Sequence, residues 1–570
     1  MFELYATRLA RPSLAAGKSH RECALRQSIF QESRLVTIAI LSLAYTSPAI
    51  SGQPCAGCHP KEVQGFLATP MAQSIGPPSR SPSGNYYHDV SKTRFSIESS
   101  PSHMTQRMER DVLTTQNTVA WSIGSGKHAI AYLVQAGNHL FESPLTFYAT
   151  SGWGMSPGYE KLEDPDFDRA VRPQCIYCHA GDVRPVAETL NAYENPRFAE
   201  AISCERCHGS ASEHLRSPTP GSIVNPAKLE PRARDSVCEQ CHLDGEVNIP
   251  NPGKETTDFR AGEDLGDVYT VYVYQSSRDP AKPNPLTIIS QSQELALSKC
   301  ALKSAEKLWC GTCHNPHELP KEPVAYFRVR CLKCHGAALL NSHPRPNEDC
   351  VGCHMPHLPV GQGAHTIFTD HRIAIYTPQE LARLRSASMG NGSVPATNKD
   401  ELVPWHDPPP KFAERNLGLA YALVGRRLDA MPFVRRGYEL LLSASNDFPN
   451  DPALLRARGS VMAGFRAESG AQALFSRVLS VRPSAALVYY DMAFAAAQAG
   501  NTRTAIEYLE KTLQIDPFLV TPYKELARLY TMSGQSGLAR ETYKRFLRTF
   551  PENMAAQKGV LHGADSRPRW

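Results

Sequence analysis

The sequence predicts a multidomain protein: a loop-rich, mostly α-helical N-terminal part with some β-structure in residues 84–150, then an all-α solenoid. Three observations predict it. The pentapeptide Cys-x-x-Cys-His occurs seven times between Cys55 and His354, and no cysteine follows Cys353. Prolines number 45 in 570 residues, a density that suits short helices joined by turns. Beyond residue 410, alanine and leucine recur at helical spacing and prolines fall 34 residues apart.

In chain order the first element is a leader. Residues 1–51 read as a signal peptide: "LVTIAILSLAY", Leu35–Tyr45, is apolar, follows Arg34 and precedes small residues, with cleavage expected before Gly52. The stretch is short for a membrane span, and no later segment approaches its hydrophobicity. The mature chain is therefore expected to lack a transmembrane span and to be periplasmic or otherwise extracytoplasmic. Cys23 lies in an unusually long n-region, which an over-extended start codon explains equally well.

Residues 52–375 hold the pentapeptides. Their cysteine pairs are Cys55 and Cys58, Cys175 and Cys178, Cys204 and Cys207, Cys238 and Cys241, Cys310 and Cys313, Cys331 and Cys334, and Cys350 and Cys353. Chance would supply on the order of 0.02 of these motifs. Two thiols at this spacing reach the two vinyl groups of one haem and become thioethers. The histidine that follows is then forced under the iron. Zinc would need two such pairs per metal and no histidine after each. The pattern predicts seven c-type haems with proximal iron ligands His59, His179, His208, His242, His314, His335 and His354. With some 46 residues per motif, the porphyrins must themselves serve as core. Strand signals concentrate in "YYHDVSKTRFSIES" and "TVAWSIG". Cys300, outside any motif, is either a buried small apolar residue or a reactive thiol.

Residues 376–410 are rich in Pro, Gly and Ser and read as a linker. In 411–570, Pro449, Pro483, Pro517 and Pro551 keep a period of 34, as do Ala471, Ala505 and Ala539, and Gly500 and Gly534. Thirty-four is the tetratricopeptide (TPR) period, which predicts about four repeats of paired helices and a capping helix at "ENMAAQKGVLHGA". The first repeat begins at "LGLAYALVG"; its phase places Pro449 seven residues late, so its second helix is expected to be two turns longer. A solenoid of this kind folds from its own neighbours and offers a groove for a protein segment. It holds no motif histidine, and its lone His562 reads as a surface residue.

Charge divides at the same boundary. From Lys411 onward 22 Lys and Arg face 14 Asp and Glu, a net of +8 against +5 for the whole chain, so residues 1–410 sum to −3. Haem propionates would add roughly 14 negative charges to that acidic part. A basic solenoid suits an acidic partner or the acidic part of its own chain. No nucleic-acid partner is expected, since no binding motif is present.

The stretches "CAGCHPKEVQGFLATPMAQS", "WSIGSGKHAIAYL", "SPLTFYATSGWGMSPGY", "ISCERCHGSASEH", "CGTCHNPH", "CVGCHMPH" and "HTIFTDHRI" together resemble multihaem cytochromes of the cytochrome c-554 type fused to TPR repeats. These are relatives of tetrahaem electron carriers and hydroxylamine-oxidising enzymes. The resemblance covers most of 54–375 and implies closely packed haems, mostly bis-histidine, that pass electrons. It fixes no substrate, because relatives include both carriers and enzymes.

Ten further histidines in this region exceed the seven irons. Candidate second ligands are His128, His214, His317, His365 and His371, which lie in the resembling stretches, then His88, His139 and His343; His103 and His357 read as surface or hydrogen-bonding residues. Met71 is a further candidate. Relatives opening with a Cys-x-x-Cys-His…Ser-x-His pattern place histidine there, and this chain departs from them. Methionine is either core filler or ligand at such a position. If "PKEVQGFLA" is helical, twelve residues rise about 18 Å, so Met71 would serve a neighbouring haem or none. Met155 is a weaker rival.

These features predict an exported electron carrier that docks a redox partner protein through its TPR groove. The alternative is an oxidoreductase acting on a small nitrogen or sulfur compound at one five-coordinate haem. A third reading, a scaffold stabilised by haem, leaves seven sites unexplained. No Cys-x-x-Cys-Lys variant occurs, so a lysine-ligated haem has no support in the sequence.

Overall fold

The structure is a computed structural model that describes residues 53–78, 81–194, 201–243, 245–279, 291–304, 307–345, 348–359, 367–389 and 400–562. The leader and His365 lie outside these. Among the described residues no helix is long and apolar enough to cross a membrane.

The N-terminal part has far more β-structure than its sequence suggests. A nine-stranded sheet comprises β1 Ile75–Gly76, β2 Gly84–His88, β3 Thr93–Ser100, β4 His103–Arg110, β5 Leu113–Ile123, β6 Ala129–Ala136, β7 His139–Tyr148, β8 Gly152–Met155 and β9 Arg169–Ala170. Strands β2 to β8 pair antiparallel in chain order, with β1 on β5 and β9 on β7. Two-residue turns set the register: Pro101–Ser102 joins Ser100 to its partner His103, and Gly137–Asn138 joins Ala136 to His139. On β3 the burial alternates, with Phe95 and Ile97 inward and Arg94 and Glu98 outward. The sheet curls until β8 returns toward β2, where Trp153 Nε1 donates to Pro82 O at 3.2 Å.

A smaller sheet combines β10 Val247–Pro250, β11 Tyr269–Tyr274 and, after β12 His357–Pro359 and β13 Ile367–Thr369 pair with each other, β14 Leu402–Pro404. The span read as a linker thus supplies a strand to the N-terminal part. Helices here are short; the longer ones, α1 Pro60–Leu67, α2 Pro231–His242, α3 Pro323–His335 and α4 Pro378–Met389, each begin on proline, whose missing N–H costs nothing at a helix start.

The C-terminal part is a solenoid of helix pairs: α5 Ala413–Arg427 with α6 Met431–Ala444, α7 Pro452–Gly464 with α8 Glu468–Val481, α9 Ala486–Gln498 with α10 Thr502–Ile515, and α11 Val520–Met532 with α12 Ser536–Thr549, closed by α13 Met554–His562. Ala471, Ala505 and Ala539 are fully buried where the pairs cross. In the first pair Gly437 abuts the backbone of Ala422, where a Cβ would come within 2.5 Å of its nitrogen. The expected longer helix in repeat one is not found. Helix α6 has the same 14 residues as α8, and the extra chain forms the turn before α7 instead.

The two parts share one core. Phe95, Met108, Phe141 and Met155 of the sheet cluster with Leu509, Leu526, Phe546 and Phe550 of the solenoid. The contacts follow the repeat: Arg482, Asp516 and Phe550 stand 34 residues apart at the turns between successive pairs. Arg482 pairs with Glu188 at 3.2 Å, Asp516 lies 3.7 Å from His139, and Phe550 meets Phe141 edge-on at 5.2 Å. Gly137, at φ 59°, leaves room for Phe518, whose ring a Cβ there would approach to 2.9 Å. Asp166 accepts from Met554 N at 2.8 Å and so caps α13 from across the interface. At the other end α5 docks on the small sheet, with buried Arg415 on Asp451 at 3.0 Å and Pro250 O at 2.6 Å.

His139 makes this interface pH-sensitive. Burial pushes its ring down to about 4, and it stacks on Phe518 at 4.1 Å. The unfolded ring titrates near 6.5, so the unfolded chain binds the extra proton between these values. Stability is then full above about pH 6.5 and falls as pH drops toward 4. We expect a loss on the order of 1–3 kcal/mol, reduced where Asp516 offsets the charge. Urea midpoints at neutral and acid pH check this: His139→Phe should flatten the acid fall, and equal slopes in both proteins would contradict it.

Candidate functional site

Each attachment pentapeptide lies in or beside helical backbone, the fourth and sixth at the ends of α2 and α3, and its i, i+3, i+4 spacing suits one helix face. The histidine N–H bonds back to the first cysteine carbonyl at 2.8 Å for His59, 2.9 Å for His208 and 2.9 Å for His314. Several motif histidines have their second nitrogen engaged: Nδ1 of His208 meets Val224 O at 2.8 Å, that of His354 meets Ala374 O at 2.9 Å, and that of His179 meets Ser74 O at 3.3 Å. A carbonyl only accepts, so Nδ1 carries the proton and Nε2 keeps its lone pair for a metal. Burial lowers the pKa of His179 and His242, and of His314 to about 4, where His371 and His242 add to it. The neutral ring is the ligating form.

Two imidazoles bound to opposite faces of one metal, with bonds of about 2 Å, have ring centres roughly 6 Å apart. Among the described residues four motif histidines have a second histidine at that separation: His59 with His214 at 6.4 Å, His208 with His317 at 5.8 Å, His314 with His371 at 6.2 Å, and His354 with His343 at 6.2 Å. Nδ1 of His371 donates to Thr369 O at 2.9 Å, and that of His214 meets Ser222 Oγ at 3.0 Å. His343 differs, because Arg345 N–H donates to its Nδ1 at 3.1 Å. That bond places the proton on Nε2 and must be given up before the ring can bind a metal.

The other candidates are placed differently. Both nitrogens of buried His88 are engaged, Nδ1 with Ser91 Oγ at 2.8 Å and Nε2 with Glu160 O at 3.0 Å. His139 stands in the solenoid interface, and exposed His103 begins β4. His128 stacks on Phe368 at 4.8 Å, and burial, with Lys127 and His357 nearby, lowers its pKa. Met71 sits in the turn after α1, where Ser74 Oγ bonds both Met71 O at 2.7 Å and His179 O at 2.6 Å. This puts the Met71 segment beside the second motif rather than its own. Met155 is buried in the sheet, and its carbonyl accepts from Tyr148 at 2.8 Å. His335 is exposed, and His242 Nδ1 lies 3.4 Å from Gln291 Oε1.

One histidine escaped the sequence reading. His406, in "VPWHDPPP" of the presumed linker, sits against the fourth motif, its Nε2 2.6 Å from Glu239 Oε2. The only signal was a tryptophan–histidine pair in a stretch otherwise rich in proline.

The motifs also adjoin one another. Thiols of different motifs lie within hydrogen-bond reach at Cys55 and Cys204, at Cys178 and Cys241, and at Cys238 and Cys310. Cys207 neighbours Cys241, Cys313 neighbours Cys334, and Cys331 neighbours Cys350. All seven motifs therefore join in one network, with Cys300 near Cys313 and Cys334.

Burial of the motif thiols is uneven. Cys58 is exposed, as are Cys175, Cys331, Cys334 and Cys353, whereas Cys55, Cys178 and Cys350 are partly covered. In the first motif Cys58 N donates to Cys55 O at 3.1 Å, which closes the turn and leaves the Cys58 side chain at the surface. The protein thus packs the first cysteine of that pair against a neighbouring motif and leaves the second open. Paired thiols, an adjacent neutral imidazole and a second imidazole across from it form a donor set that fits c-type haem.

This donor set, joined in one chain to a helical-repeat solenoid, is of the kind that c-type cytochromes use. Residues 155–209, which carry the second and third motifs, match the family Cytochrome c554 and c-prime. No curated protein matches the chain. Among solved structures the chain is similar to MamA, at 17% identity over 25% of this chain and 89% of that one, with a TM-score of 0.22. It is also similar to PilF of Pseudomonas aeruginosa, at 18% identity over 24% of this chain and 60% of that one, TM-score 0.21. A third is the O-GlcNAc transferase of Thermobaculum terrenum, at 15% identity over 25% and 27%, TM-score 0.22. The solenoid assignment rests on the period and helix pairs of this chain.

Proposed function

We propose that the protein is an exported multihaem electron carrier that holds seven c-type haems in one connected array. The observation that carries this reading is the recurrence of a second histidine roughly 6 Å from a motif histidine, at four motifs that belong to one network of neighbouring thiols. The cysteine pairs, Cys58 among them, would hold the porphyrins, and His59, His179, His208, His242, His314, His335 and His354 would bind the irons from one side. His214, His317 and His371 would close the other face, His343 after releasing Arg345, and Met71 or His128 are left for motifs without such a partner. The haems would supply one-electron redox chemistry; the chain would set their spacing and, by burial, favour the neutral rings of His179, His242 and His314. Residues 1–51 would direct export, and the solenoid would dock a redox partner. Its turn edge at Arg482, Asp516 and Phe550 is already used within the chain, so a partner takes the remaining faces.

The alternative, an oxidoreductase with one open iron, draws on exposed His335 and on His179 and His242. Electron paramagnetic resonance and carbon monoxide binding separate the two. A carrier should show mainly low-spin haem and bind less than one equivalent of carbon monoxide. A full equivalent of high-spin haem, shifted by nitrite, hydroxylamine or a sulfur oxyanion, would replace the carrier with the enzyme.

A further inference from the structure

Glu239 is the second residue of the fourth motif, "CEQCH", and shares the α2 face with His242 three residues on. Its side chain is only 7% exposed, where a carboxylate needs strong partners. Both come from the segment after β14: Trp405 Nε1 donates to Oε1 at 2.9 Å, and His406 Nε2 meets Oε2 at 2.6 Å. That segment is itself fixed. Trp405 N donates to Val271 O at 2.7 Å, and Arg278 donates to Pro404 O and Trp405 O at 2.6 Å each. Leu402 N donates to Tyr421 OH of the solenoid helix α5 at 3.0 Å. The bonds thus run from the solenoid through β14 to one carboxylate beside one attachment motif. Of the other six motifs only Cys204–His208 carries an acid, Glu205, which instead accepts from Ala211 N at 2.8 Å.

We propose that Trp405 and His406 are positioning residues that hold the Glu239 carboxylate beside the haem of the fourth motif, and that this charge sets the haem's reduction potential. The inference rests on the haem reading given above. A fixed negative charge near the iron favours the ferric over the ferrous state, which lowers the potential. The two donors draw charge away from the haem and moderate that effect. Since α5 is tied to the same segment, the position of the solenoid is felt at the same haem.

Spectroelectrochemical titration of the full-length holoprotein tests this, with haem count checked first by intact mass and peptide mapping. Glu239→Gln keeps the shape but removes the charge, and should raise the fourth haem's midpoint enough to change its ferrous-to-ferric ratio about tenfold, roughly 59 mV. The haems of the three adjoining motifs, at Cys175, Cys204 and Cys310, should move less, and the remaining three not at all. Trp405→Phe and His406→Phe each remove a donor and should lower the same midpoint; Trp405→Phe keeps the test readable if Glu239→Gln fails to mature. Seven haems with unchanged midpoints in these variants would overturn the role of Glu239 and leave the carrier reading intact. A fourth motif without haem would overturn both.

Discussion

Replacing His214 by alanine will convert one low-spin haem of the loaded protein into a high-spin haem that binds carbon monoxide when reduced. His317→Ala and His371→Ala will do the same at two other irons. The expectation follows from ring geometry. His214, His317 and His371 lie 6.4, 5.8 and 6.2 Å from the motif histidines His59, His208 and His314, and one metal between each pair accounts for that separation. Loss of an axial imidazole leaves five ligands, so the spin state of a whole haem changes. His88→Ala is the control. Its ring already bonds Ser91 and Glu160, so the spectrum should stay unchanged while stability falls by about 1–3 kcal/mol. Unaltered spin states in all three ligand variants would contradict the pairing.

Phe550→Ala will loosen the solenoid from the sheet and cost about 3–5 kcal/mol, as removal of a buried phenylalanine does elsewhere. Phe550 is 8% exposed and touches Phe141 of β7 at 5.2 Å, Phe546 at 5.4 Å and Phe518 at 6.1 Å. The cavity would open at the junction, where neither part can close it alone. Removing residues 411–570 altogether should therefore leave an aggregation-prone sheet rather than a soluble cytochrome. Chemical denaturation followed by haem absorbance and helical circular dichroism checks both. A soluble truncated protein, or a Phe550→Ala loss below 1 kcal/mol, would mean that the solenoid is an independent arm.

The sequence carried some of this plainly and some not at all. The 34-residue spacing of Ala471, Ala505 and Ala539 exposed the helix pairs because packing at each crossing demands a small residue once per repeat. The sheet was only half legible: Phe95 and Ile97 alternate with charges, but β4 buries Met104, Thr105 and Gln106 in succession, which hides the period of two. Motif cysteines could be read because covalent chemistry fixes their spacing, but not their burial: Cys55 and Cys58 look alike in the motif, and only Cys58 is exposed. Second histidines could not be paired, since contacts such as His208 with His317 depend on folding between distant segments. His406 was hidden for a related reason. Its role comes from β14 joining β10 and β11 in space, which no local pattern in a proline-rich stretch reveals.

The most direct test of the central claim is intact mass after maturation with a cytochrome c assembly system. The account predicts seven covalent haems on a chain that starts near Gly52, one on each Cys-x-x-Cys-His motif from Cys55 to His354. Fewer than seven haems after complete maturation, or zinc in their place, would contradict it.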